Sequence, residues 1–359
     1  MSGPLNFSNL ESVLPGTNLN GRWTVGRTTK ATPGQTGGCF SITFECADVQ
    51  SGKPVFLKVV DVNSAIMNYS NTMPIPDIMI KIAEEHKFES NLMNECKEAR
   101  LHRVVVGLDH GAVQVPGFSG PVLFLVFELA KGDTHKVKST TPALARGLES
   151  DKWWLETLHH VSTGLHQLHQ KAIAHQDVKP SNILFFDQAG AKVADLGRAV
   201  KKGVLSSNLR KNGDLTHSAP ELHYGVRPTE WGARYLAVDL YMLGNLLYFH
   251  FSGGVTATMD LLGRLEATFN PWQGYEGSFR DAIPALEEAF GRLVLGFRQS
   301  LVNHLPPLVA DELTSILKEL CHPDPEKRGH PKDMRGGLGP RYSVYRYISR
   351  FNRLHDLLS

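Results

Sequence analysis

The chain has 359 residues, 42% of them hydrophobic and 21% charged, which is ordinary globular composition and enough for one large or two medium domains. A formal net charge of +2 argues against nucleic acid or a membrane as a main partner, and the most apolar stretches, 121–127 and 240–251, are too short and interrupted to cross a bilayer. Four cysteines (Cys39, Cys46, Cys96, Cys321) lack metal-ligand spacing, no signal peptide opens the chain and no repeat divides it, so the reading is a cytoplasmic protein with reduced thiols and an oligomeric state left open.

Residues 1–18 read as a loose leader. From Gly21 the pattern becomes strand-like, with Trp23 and Val25 alternating with polar residues. The segment Thr36-Gly37-Gly38-Cys39-Phe40-Ser41 follows. A glycine-rich turn between strands lets backbone amides approach phosphates closely. A strand is expected over 42–46, a turn over 50–53, and a second strand over 54–60 that carries Lys58 inside an apolar run. A lysine placed there is costly to bury unless it is paired. Residues 61–76 read as an insertion, with Pro74 and Pro76 near its end. Asp77 then caps a helix expected to run to about Ala99. At about 100° per residue, Ile78, Ile82, Phe88, Leu92, Met93 and Cys96 gather on one broad face. Glu89 points near the middle of that face, Glu85 inward one turn earlier, and Glu95 falls at the rim. Strands are expected at 104–106 and 123–130.

The helix expected over 153–170 has Trp154, Leu158, Val161, Leu165 and Leu168 at helical spacing. It leads into His175-Gln176-Asp177-Val178-Lys179-Pro180-Ser181-Asn182. Proline, serine and asparagine make the end of that segment loop chemistry. Next come an apolar run, Ile183 to Phe186, a turn over 187–190, and an alternating run ending at Asp195, which together read as a hairpin. A hairpin brings its ends together, so Asn182 and Asp195 become neighbours. That pair, with Asp177 and Lys179 just upstream, is a hard-oxygen site suited to a magnesium ion that keeps some waters and bridges phosphates. A polar segment over 198–215, with Arg198, Lys201, Lys202, Arg210 and Lys211, reads as a mobile loop. An apolar helix opens near Ala237 with an inward Asp239, and a closing helix is expected over 342–358.

The segment His175 to Asn182 with Asp195-Leu196-Gly197 resembles the H-R-D-L-x-x-x-N and D-F-G loops of eukaryotic-type serine/threonine protein kinases; the wording is similar to that of bacterial eukaryotic-like members. The resemblance covers about residues 21–350. It implies an α+β, two-lobe protein-kinase fold. The N-lobe, over 19–130, would be a small antiparallel sheet plus one helix, and the C-lobe, over 131–359, larger, mainly helical and closed by a C-terminal helix. It implies Mg-ATP in the cleft and a protein substrate bearing serine or threonine, with Asp177 as the base that orients the hydroxyl and Lys179 near the transferred phosphate. Asn182 and Asp195 would hold Mg2+. Lys58 would grip the α and β phosphates and need a helix carboxylate, for which Glu89 is chosen with Glu85 as main rival. Gly37, Gly38 and Phe40, the last at the loop tip, would cover the nucleotide. The backbones of Glu128 and Ala130 would bond the adenine edge, with Phe127 behind it and Leu184 as the floor. Ser218-Ala219-Pro220-Glu221 resembles A-P-E, whose glutamate would pair with a buried Arg328, and Asp239 would hold the catalytic loop's backbone.

The chain departs from the pattern in several places. Gln176 replaces the arginine of H-R-D, which implies activity without loop phosphorylation. Leu196 replaces a phenylalanine of similar volume, and Ser41 stands where a third glycine is usual. Asp214 and His217 alter the peptide-docking segment. A pseudokinase and a small-molecule phosphotransferase are the competing readings. Lys179, the A-P-E-like segment, Asp239 and Arg328 favour a protein kinase over the latter.

Overall fold

The computed structural model describes residues 10–29, 40–204, 214–336 and 340–359. They form two compact units divided after Lys131.

The first unit starts with a short helix, α1 (Leu10–Val13), and strands β1 (Asn18–Leu19), β2 (Trp23–Thr28), β3 (Ser41–Asp48) and β4 (Pro54–Val60). Helices α2 (Val62–Tyr69) and α3 (Ile75–Glu98) follow, then β5 (Gly107–Gln114) and β6 (Pro121–Glu128). The strands form one antiparallel sheet in the order β1-β2-β3-β4-β6-β5. Strand β4 alternates cleanly. Val55, Leu57 and Val59 are buried on one face with Trp23, Phe44 and Phe124, while Lys58 lies on the other face, as the two-residue period of a strand requires.

Four local expectations need correction here. Residues 1–18 read as a loose leader, but Leu10 and Leu14 within that stretch are buried against the sheet's apolar face. The stretch 61–76 contains α2, so the sheet carries more than one helix. Asp61 caps α2 by accepting the Ser64 N–H at 3.0 Å. Helix α3 begins two residues before Asp77. Pro74 is its N-cap residue and Pro76 sits in its first turn, where a fixed φ suits a helix and the missing N–H costs nothing. The strand expected at 104–106 begins instead at Gly107, where α3 comes close. A Cβ on Gly107 would lie 1.8 Å from Met93 Cγ.

The second unit holds β7 (Gly132–Asp133), α4 (Thr134–Thr140) and α5 (Leu148–Gln170), then β8 (Ile173–Ala174), β9 (Ile183–Phe186), β10 (Gly190–Val193) and β11 (Val200–Lys201). Helices α6 (Pro220–His223), α7 (Ala237–Phe251), α8 (Ala257–Gly263), α9 (Phe279–Val302), α10 (Pro307–Leu320), α11 (Pro331–Met334) and α12 (Tyr345–Leu357) complete it. Helix α7 is apolar on nearly every side and is buried accordingly. Its core includes Leu158 and Leu165 of α5, Leu293 of α9, Leu317 of α10 and Phe351 of α12. Helix α12 is tied to α5 by His159 Nδ1, which donates to the Ile348 carbonyl at 2.9 Å. Arg350 joins it to Glu312 and Glu319 of α10 at 2.7 and 2.6 Å.

Cys46, Cys96 and Cys321 are buried, and burial pushes the Cys46 thiol up to about 11. Among the described residues no helix is long and apolar enough to cross a membrane.

Candidate active site

In the first unit Lys58 sits in an interior strand, opposite Thr43 of β3 and Leu125 of β6, so it is not an edge lysine. Its side chain is 12% exposed and its Nζ lies 2.7 Å from Glu89 Oε1. Glu89 is itself buried on the apolar face of α3. Each charge therefore has a partner that offsets its desolvation. One turn before Glu89, His86 Nε2 donates to the Phe124 carbonyl at 3.1 Å and ties α3 to β6. Burial holds this imidazole below its usual pKa.

Phe40, expected at the tip of a nucleotide-covering loop, directly precedes β3. Its ring is buried with Val62, Ala65, Ile78 and Ile82, and its carbonyl accepts the Asp61 N–H at 2.8 Å, extending the β3–β4 ladder that pairs Ser41 with Val60. Gly37, Gly38 and Cys39 lie outside the described residues. Glu128 closes β6. Its N–H donates to the Val106 carbonyl at 3.1 Å, and its Oε1 accepts the Val106 N–H at 2.8 Å. Phe127 and Ala130 flank it, half-buried.

In the second unit α5 runs into β8, after which the chain turns through a strained point. Gln176 has φ of +63°, a conformation costly for a residue with a side chain. Asp239, fully buried on α7, holds this turn. Its Oδ2 accepts the His175 N–H and its Oδ1 the Gln176 N–H, each at 2.8 Å. His169 Nε2 donates to Asp239 Oδ2 at 2.8 Å. The Gln176 carboxamide donates to the Tyr235 carbonyl at 2.8 Å and to Asp239 Oδ1 at 3.0 Å. Tyr235 lies in a wide π turn, Gly232–Leu236, that leads into α7.

His175 is fully buried, and its two contacts fix its tautomer. Nδ1 accepts the Asp177 N–H at 3.2 Å and Nε2 donates to the Ala194 carbonyl at 3.0 Å. Nε2 therefore carries the donated proton, and the ring bridges the Asp177 loop to the end of β10.

The hairpin pairs β9 with β10, Ile183 opposite Val193 and Leu184 opposite Lys192. The Ala194 N–H donates to the Asn182 carbonyl at 2.9 Å, which brings Asn182 beside Asp195. Asn182 Nδ2 donates to the Asp177 carbonyl at 2.8 Å and to Asp177 Oδ2 at 2.9 Å. With both amide hydrogens used on Asp177, Asn182 presents its Oδ1 elsewhere as an acceptor. Asp195 is left-handed, with φ of +61°, and its Oδ1 accepts the Gly197 N–H at 3.2 Å. Among the described residues no group of three or more His, Cys, Asp or Glu side chains forms a metal cage. One carboxylate and one amide oxygen fit a magnesium ion that takes its other ligands from phosphate and water.

Asp177 is almost fully buried. Asn182, Lys179 Nζ at 3.2 Å and Arg198 Nε at 3.7 Å all address its Oδ2. Among the described residues no hydrogen bond reaches Oδ1, so one carboxylate oxygen is fixed and the other is available to a hydroxyl.

Sequence reasoning placed Arg198 in a mobile loop. The structure instead gives a 3₁₀ turn, Leu196–Arg198, and pairs β11 with β8, Val200 opposite Ala174. The position of Arg198, directly after Asp195-Leu196-Gly197, was the available signal.

The segment before Glu221 is held by neighbouring helices. Thr256, Asn245 and Thr258 donate to the carbonyls of Thr216, His217 and Ser218 at 2.6, 3.2 and 2.9 Å. Asp214 Oδ1 accepts from Thr216 Oγ1 at 2.6 Å and from its N–H at 3.1 Å. His217 first, and then Thr216 and the charge of Lys179, hold the Asp214 carboxyl well below the usual range. Glu221 and Arg328 form a fully buried bidentate pair, both contacts at 2.8 Å.

A family model described as the protein kinase domain matches residues 34–335. A probable serine/threonine-protein kinase of Dictyostelium discoideum is 26% identical over 207 residues, covering 56% of this chain and 10% of that one. A dual serine/threonine and tyrosine protein kinase of Pimephales promelas is 25% identical over 255 residues, 70% of this chain and 26% of that one. Its namesake in Homo sapiens is 24% identical over 249 residues, 68% and 24%. The chain thus spans about a quarter or less of the length of these curated relatives.

Proposed function

The chain belongs to the protein kinase domain family, and on that premise we propose that it transfers the γ-phosphate of ATP to serine or threonine hydroxyls of a protein substrate. The arrangement at Asp177 carries this reading: Oδ2 is fixed by Asn182, Lys179 and Arg198, and Oδ1 is left to accept a hydroxyl proton. Lys179, 3.2 Å from Asp177, supports serine and threonine over tyrosine, since lysine at that position marks the serine/threonine branch of the family. Protein substrates in the cytoplasm, without nucleic acid or membrane as partner, fit the near-neutral charge.

The residues divide the work. Lys58, held by Glu89, places a fixed ammonium for the α and β phosphates. The backbones of Glu128 and Ala130 serve the adenine edge, Leu184 its lower face, and the amides of Gly37 and Gly38 the phosphates. Asp177 orients the acceptor hydroxyl and takes its proton. Lys179 offsets charge on the transferring group. Asn182 Oδ1 and Asp195 would hold Mg2+, which when bound neutralises phosphate charge.

The test is phosphate transfer from labelled Mg-ATP to the chain itself and to a generic basic protein, with Asp177→Asn alongside. Label on serine and threonine that vanishes in the variant is the expected result. Nucleotide binding without transfer in the parent chain would overturn the reading, and label on tyrosine would overturn its specificity.

A further inference from the structure

Arginines 198 and 328 are both largely withdrawn from water, yet they are used in opposite ways. Arg328 places all five guanidinium N–H groups. Nη1 serves Glu221 and the Ala237 carbonyl, Nη2 serves Glu221 and the Pro323 carbonyl, and Nε serves the His322 carbonyl. Arg198 has an 18% exposed side chain, and among the described residues its one contact is ionic, Nε to Asp177 Oδ2 at 3.7 Å. Among the described residues it makes no hydrogen bond. A guanidinium carries five N–H donors and loses much hydration here. The segments outside the described residues contain no aspartate or glutamate, so they offer no carboxylate to pair with it. The backbone under Arg198 is fixed, because the Ala199 N–H donates to the Leu196 carbonyl at 3.0 Å and β11 pairs with β8 immediately afterwards. The cation is therefore presented by a rigid turn. Gln176, beside Asp177, is an uncharged amide, and its carboxamide is committed to Tyr235 and Asp239.

We propose that Arg198 is a catalytic residue whose guanidinium binds the non-bridging oxygens of the phosphoryl group during transfer. The proposal rests on the kinase reading. In that step the acceptor hydroxyl oxygen forms a bond to the γ-phosphorus. The bond from that phosphorus to the β–γ bridging oxygen breaks, and ADP leaves with the electron pair. The hydroxyl proton passes to Asp177 Oδ1. Charge on the transferring oxygens is then met by Lys179 on one side and Arg198 on the other.

The experiment compares the parent chain with Arg198→Lys and Arg198→Ala, measuring kcat, ATP KM, nucleotide affinity and melting temperature, with and without millimolar guanidinium. Expected is a fall in kcat of about a hundredfold in Arg198→Ala, a smaller fall in Arg198→Lys, and an ATP KM within about threefold of the parent. Guanidinium should restore part of the Arg198→Ala rate and leave Arg198→Lys unchanged. An unchanged kcat in both variants overturns the proposal. So does a loss that guanidinium does not relieve and that tracks lost nucleotide affinity or a lower melting temperature, because that is the signature of a structural arginine. A parent chain that transfers no phosphate overturns the kinase reading itself, and the proposal falls with it.

Discussion

Arg328 and Glu221 are buried to zero exposure and satisfy each other through two parallel contacts. Removing one partner leaves an uncompensated charge in a medium that solvates it poorly. Arg328→Ala should therefore lower unfolding free energy by about 3–5 kcal/mol, seen as a lower urea midpoint at unchanged slope. An unchanged midpoint would remove this account of the pair. The Lys58–Glu89 pair is a different case, since on the proposed function its ammonium would be shared with the nucleotide phosphates. Glu89→Gln keeps the shape and removes the charge that holds Lys58. ATP affinity should fall while the fold persists, read by nucleotide titration and melting temperature together. Equal ATP affinity in parent and variant would sink the assigned role of Glu89.

At the scale of elements, the loop that carries Asp177 is shaped from outside. Asp239 on α7 accepts two backbone N–H groups and two side-chain donors. Asp239→Asn turns an amide donor toward groups that are themselves donors. A small displacement of Asp177 is costly to chemistry, so kcat should fall on the order of a hundredfold, with ATP binding less affected; a kcat within a few-fold of the parent would refute it. Helices α7 and α10 meet at Gly244, where a Cβ would lie 2.6 Å from Leu320 Cβ and 2.5 Å from Cys321 Sγ. Gly244→Ala should overpack that contact and destabilise by about 1–3 kcal/mol, measured by denaturant unfolding. The committed carboxamide of Gln176 bears on regulation. With no arginine there to meet a loop phosphate, replacing every serine and threonine over 199–216 should leave the rate unchanged, and a lost rate would reject the idea.

For the whole molecule, acid is the expected weakness. Burial is the leading cause that lowers the pKa values of His86, His223, His250 and His322. A histidine whose folded pKa is lowered binds its proton more weakly when folded than when unfolded. Its neutral form is thus fully accommodated above the unfolded value of about 6.5, and stability is lost as pH falls from there toward the lowered folded values. The melting temperature should drop between about pH 7 and 5, and a flat profile over that window would contradict these burials.

Much of the site was legible in the sequence, because its parts lie close in the chain. His175 to Asn182 and Asp195 sit within one strand–turn–strand unit, so local turn chemistry and the two-residue strand period bring Asn182 beside Asp195 without any knowledge of the fold. The face of α3 that carries Glu89 followed from the helical period in the same way. What required tertiary structure was every choice made by distant groups. Phe40 reads as a loop residue in sequence, but it is buried because α2 and α3 form an apolar surface over it. Residues 10–14 look like leader, but the open face of the sheet has room for Leu10 and Leu14. Arg198 looks like one basic residue in a polar loop; it becomes a cation aimed at Asp177 because β11 pairs with β8, across an interval of more than twenty residues. Periodicity reports which way a side chain points along its own element. Only packing decides what it meets there.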